Sequence, residues 1–118
     1  MWTPEALSTE LETSYGMLGE YSAKLALVEV QLYDAQAELT RVREWHRLND
    51  DPSALGKNEA QRTAALADKC KGEAATVAEL EKQRMGFRAF ADSTRLRIEH
   101  LRAQLRILEL QAGFRAAA

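Results

Sequence analysis

Five arginines, Arg84, Arg88, Arg95, Arg102 and Arg106, are the residues of this sequence best spaced for chemistry. On an α-helix turning ~100° per residue they fall within ~40° of one another. At 1.5 Å per residue they span ~33 Å. Such a guanidinium row can follow a phosphate backbone, with Phe87 and Phe90 on the adjoining face available for stacking. The competing expectation is that these arginines flank a helix–helix seam and pair with acids of another helix. Charge placement favours the second. Residues 1–40 hold seven acids and one base, whereas residues 82–118 hold eight bases and three acids. An acidic first arm and a basic last arm attract if the chain doubles back. Arg41, Arg43, Arg47 and Lys57 form a smaller basic cluster, expected at a solvated tip.

Other chemistry is sparse. His46 and His100 have no HExxH spacing and no paired Cys, so no metal centre is expected. The six glycines are scattered and form no phosphate-binding loop. Cys70 stands on a stripe of small residues and reads as a core thiol. Glu79 and Glu81 would sit on a helix surface with no cleft to raise a carboxyl pKa. The expectation is a protein without enzymatic activity, cofactor or small-molecule substrate. A net charge of −2 excludes a globally basic nucleic-acid binder. No run approaches ~18 uncharged apolar residues, and no basic-then-apolar leader opens the chain, so neither a membrane span nor a secretory signal is expected. The single Cys fits a reducing cytoplasm.

The elements that must carry these residues are long helices. The chain has 118 residues but only six Gly and two Pro, too few turn formers for a many-stranded sandwich or barrel. Thr3 before Pro4 predicts an N-cap with Pro at the first helical position. Leu11, Leu18, Leu25, Leu32 and Leu39 recur every seven residues, with Ser14, Tyr21, Val28, Ala35 and Val42 three after each. That 3-4 pattern is a coiled-coil seam. Pro52 interrupts helix, and Asn58-Glu59-Ala60-Gln61 reads as a capping box. The prediction is one domain: a helix over 4–48, a turn over 49–58, a helix over 59–112 and a frayed tail over 113–118. The second helix shows a thin stripe of Ala60, Thr63, Ala67, Cys70, Ala74 and Val77. The stripe thickens through Leu80, Phe87, Phe90, Thr94, Ile98, Leu101, Leu105 and Leu108. The steps 74, 77 and 80 suggest local overwinding. Gly86 offers an alternative break, with a third helix capped near Asp92.

Each predicted helix carries a second apolar face: Gly16, Gly19, Ala23, Ala26, Val30, Tyr33 and Ala37 on the first, and Met85, Ala89, Leu96, Ala103, Ile107, Leu110 and Phe114 on the second. A turn centred near Ser53 sets Pro4 opposite Arg102, so the Leu-rich stretch beyond overhangs. The fold expected is therefore an all-α antiparallel two-helix coiled-coil hairpin assembled into a homo-oligomeric bundle. Leu96, Ala103, Ile107, Leu108, Leu110 and Phe114 are its expected interface.

The segment Gly56-Lys57-Asn58-Glu59-Ala60-Gln61-Arg62-Thr63-Ala64-Ala65-Leu66, followed by a charged, Ala-rich helix and Leu101-Arg102-Ala103-Gln104-Leu105-Arg106-Ile107-Leu108, resembles small helical-hairpin proteins of tailed bacteriophages. The likeness spans residues 20–112, with Asn58…Arg62 its most specific element. It implies a protein of the bacterial host cytoplasm that assists phage DNA replication or recombination, and it carries no catalytic residue with it. Two functions follow: an oligomeric accessory that contacts single-stranded DNA, or a protein-only scaffold or chaperone that grips a helical partner.

Overall fold

The computed structural model describes residues 2–117, with side chains to residue 113. It contains four helices and, among the described residues, no strand: α1 (Pro4–Asn49), α2 (Pro52–Leu55), α3 (Glu59–Lys69) and α4 (Lys71–Ala117). α1 starts as its sequence dictates. The Ala6 N–H donates to Thr3 Oγ1 at 3.1 Å, and Pro4 opens the helix where no N–H is needed.

The predicted turn over 49–58 holds a single helical turn, α2, capped by the Asp51 carboxylate, which accepts from the Ser53 N–H at 3.0 Å. Gly56 then adopts φ 125° and ψ 170°, a region open essentially to glycine alone. Asn58 caps α3 as expected, its Oδ1 accepting from the Gln61 N–H at 2.9 Å. The reciprocal half of the capping box is displaced by one residue. Gln61 Oε1 accepts from the Lys57 N–H at 2.8 Å, because the turn at Gly56 brings that donor over the helix start. Arg62 Nε closes the loop by donating to the Gly56 carbonyl at 3.3 Å. A Cβ at position 56 would lie 2.5 Å from Gln61 Cβ. Gly56→Ala is therefore expected to cost about 2–3 kcal/mol from backbone strain, with the contact adding to it. Thermal unfolding followed by circular dichroism reads this as a lower midpoint.

The predicted helix over 59–112 differs in two ways. It breaks at Cys70, where φ is −102° and ψ 14°. It stays helical to Ala117, across the stretch expected to fray. At Gly86, the alternative break, the helix runs on. Gly86 costs about 1 kcal/mol in helix propensity, less than the packing of its buried and half-buried neighbours Phe87 and Ala91. The Cys70 break changes the phase of the buried stripe. Before it, Ala65 and Leu66 are half-buried while Ala60, Thr63 and Ala67 are exposed, so the predicted small-residue stripe faces outward. After it, the inward positions are Cys70, Glu73, Val77, Leu80, Arg84, Phe87 and Ala91, in strict 3-4 steps. Glu73 replaces the expected Ala74, and Ala91 replaces Phe90. The overwinding suggested at 74–80 is absent, because the seam never passes through Ala74.

Contacts divide the chain into two compact units, Met1–Leu25 with Gly86–Ala118, and Ala26–Met85. In the first, α1 and α4 pack antiparallel. Glu10 pairs with Arg97 at 2.9 Å, Tyr21 stacks on Phe90 at 5.4 Å, and the Lys24 ammonium lies 6.0 Å from the Phe87 ring centre. Partner numbers fall as α1 numbers rise, as antiparallel packing requires. Leu7 and Leu101 are sealed here, at 0% and 1% exposure, with Ile98 and Ala91 also buried. The buried Thr94 hydroxyl donates to the Phe90 carbonyl at 2.8 Å. In the second unit the buried apolar side chains are Val28, Leu32, Leu55 and Cys70.

Candidate functional site

The arginine row occupies one edge of α4, but its five members differ. Arg84 lies on the inward seam and is half-buried, so it leaves the row. Arg88, Arg95, Arg102 and Arg106 are exposed. The Arg95 guanidinium donates to Asp92 on its own helix at 2.8 Å. Arg102 and Arg106 have no ion-pair partner among the described residues, and with Ala103, Leu105 and Glu109 they line a shallow cleft. The same edge carries Asp92, Glu99 and Glu109, so its positive charge is interrupted. Arg97, outside the row, pairs with the α1 acid Glu10 at 2.9 Å. The signal for this pair was present in the sequence. Arg97 immediately precedes the seam residue Ile98, as Glu10 precedes Leu11, and antiparallel seams bring such flanking positions together.

The aromatic residues near the row are engaged. Phe90 stacks on Tyr21 at 17° between ring planes, and Phe87 is half-buried beneath Lys24. Neither is a vacant stacking platform.

The expected interface residues also divide. Leu96, Ile107 and Leu110 are 66%, 47% and 61% exposed, and Ala103 is exposed beside them. Leu108 is half-buried on the inward seam, as is Leu105, so the stretch beyond Arg102 is less bare than expected. The Phe114 side chain lies outside the described residues. On α1, the second face from Gly16 to Ala37 is exposed throughout, with Val30 and Tyr33 its largest members.

The tip contains a cluster that spacing alone did not suggest. Asp50 Oδ2 accepts from Lys69 Nζ and lies 3.0 Å from His46 Nδ1. The Lys69 ammonium, then the His46 ring, hold the Asp50 carboxyl below its ordinary value, against the opposing effect of burial. A lowered carboxyl pKa contributes stability above the unfolded value of about 3.9 that is lost as pH falls through the folded value. The melting temperature of the wild type should exceed that of Asp50→Asn above pH ~4, and the gap should close below it. Thermal melts of both proteins from pH 7 to 2.5 check this. In the basic tip cluster, Arg41 and Arg47 are bound by Glu38 and Glu44 on the same helix, at 2.9 and 2.7 Å. Trp45 meets the His46 ring edge-on at 5.0 Å and remains half exposed. Cys70 is buried and free.

Among the described residues no three His, Cys, Asp or Glu side chains converge on a metal-sized site. No described helix is long and apolar enough to cross a membrane. What the surface offers is contact: an apolar row on α4, a second on α1, and an edge on which two arginines are unpaired. No family model, curated protein or solved structure matches this chain.

Proposed function

We propose that this chain is a non-enzymatic accessory protein that works as a homo-oligomer in the cytoplasm of a bacterial host. Copies would align their Arg95 and Arg102 edges along single-stranded DNA, in the manner of a recombination mediator or a single-strand-binding partner. The carrying observation is that α4 leaves Leu96, Ile107 and Leu110 exposed, in a row adjoining the unpaired Arg102 and Arg106. A monomer has no use for such a row, whereas an oligomer buries it and repeats the arginines, so weak phosphate contacts add. The phage DNA setting rests on the likeness of the Asn58…Arg62 turn and the Leu-Arg repeats.

The acids on the arginine edge favour a second reading. Asp92 already occupies Arg95, and Glu99 and Glu109 interrupt the edge. Under that reading the chain is a protein-only scaffold or chaperone that grips a helical partner through its outer faces. Titration of a labelled oligonucleotide separates the two. Phosphate contact predicts binding at low salt that weakens steeply as salt rises, whereas no binding at low salt leaves the scaffold.

A further inference from the structure

The outward row of α4 has a heptad of its own. Ser93, Leu96, His100, Ala103, Ile107 and Leu110 step by 3 and 4, and none is Asp, Glu, Lys or Arg. Every one is exposed. The row therefore has the form of a second coiled-coil seam with no described residue packed against it.

We propose that a second copy of this chain occupies the row through its own α4, antiparallel and related by a twofold axis at the level of Leu105. This rests on the reading of the chain as a homo-oligomer and specifies the contact. The geometry of the inner seam supplies the register. There, the residues directly preceding Leu11 and Ile98 face each other and form the Glu10–Arg97 ion pair. In the outer row the corresponding residues precede His100 and Ile107, and they are Glu99 and Arg106. With the axis at that level, as in the inner seam where the flanking ion pair lies five residues off the layers it brackets, His100 meets Leu110 of the second copy and Ala103 meets Ile107, each contact made twice. Glu99 then faces Arg106 of the second copy, and the symmetry makes that pair twice. Neither Glu99 nor Arg106 has an ion-pair partner among the described residues, so both are available.

The same charges reject the neighbouring registers. Sliding one helix by a heptad in one direction sets Glu99 against Glu99 of the second copy. Sliding it the other way sets Arg106 against Arg106. Like charges at a twofold axis penalise both, so charge selects the alignment while Ala103, Ile107 and Leu110 supply the apolar contact. Ala103, two residues from the axis, lets the two backbones approach closely. Arg95 and Arg102 stay outside the contact, on the same edge of both copies.

The test is sedimentation equilibrium on the full chain and three variants, with helicity checked by circular dichroism. The wild type should dimerise. Glu99→Arg and Arg106→Glu should each weaken the dimer about tenfold or more, by turning two opposite-charge contacts into like-charge ones. The double variant Glu99→Arg/Arg106→Glu should recover wild-type affinity to within about threefold. Ala103→Cys should cross-link to itself through a short bismaleimide, whereas Arg88→Cys, far from the axis, should not. A dimer that both single variants leave unchanged, or that the double variant does not restore, overturns this register while homo-oligomerisation stands. A wild-type chain that stays monomeric at every concentration overturns both. Binding of DNA is read separately by oligonucleotide titration.

Discussion

Leu101→Ala should lower the free energy of unfolding by about 3 kcal/mol, with a fall in melting temperature of roughly 10 °C. Leu101 is 1% exposed, on the seam of α4 that packs against α1. Removing its branched end leaves a cavity between two long helices whose backbones are held by neighbours on either side, so collapse is incomplete. Leu96→Ala, five residues earlier on the same helix, should change monomer stability by under about 0.5 kcal/mol, because Leu96 is 66% exposed. Urea unfolding at low protein concentration, where copies are apart, measures both. Similar losses at the two positions would show that the outer row is covered within the chain, and the argument for a second copy would fall with it.

Arg95→Glu/Arg102→Glu should reduce oligonucleotide affinity on the order of a hundredfold at low salt. On the proposed DNA-binding reading, each reversal would remove one guanidinium–phosphate contact and place a carboxylate against the strand. Single-stranded contacts contribute ~0.7 to the salt slope each, so the slope should fall by about 1.4. Self-association and helicity should be unchanged, since both side chains are exposed on the edge of α4, off the inner seam and off the proposed twofold contact. Fluorescence anisotropy with labelled single strands, run beside sedimentation, reads the two properties independently. Loss of assembly in this variant would make the arginine edge a protein interface and favour the scaffold.

Much of this molecule was legible because its information is local. Thr3 and Asn58 have the donor and acceptor geometry of N-caps, and each caps its helix within three residues of chain. Pro52 ends α1 nearby through its missing N–H. The Leu11–Leu39 repeat faces inward because a seven-residue period on a 3.6-residue helix leaves one side for apolar contact. The outer row of α4 was legible for the same reason, and the structure leaves Leu96, Ala103, Ile107 and Leu110 exposed.

Tertiary packing decided what periodicity leaves ambiguous. Hydropathy ranks Phe90 above Ala91 and Ala74 above Glu73, yet Ala91 is buried and Phe90 exposed, and Glu73 is half-buried while Ala74 is exposed. Helix rotation is set by the whole seam, and one residue's hydrophobicity cannot turn forty others. Likewise Gly86 stays helical because packing on both sides outweighs its propensity cost. The chain breaks at Cys70 instead, where the inward stripe changes phase. The pairing of Asp50 with Lys69 required knowing how α3 returns past the end of α1, and that of Glu10 with Arg97 how far α4 slides along α1. That slide is a sum over many side-chain contacts between residues distant in sequence, and composition and spacing carry no record of it.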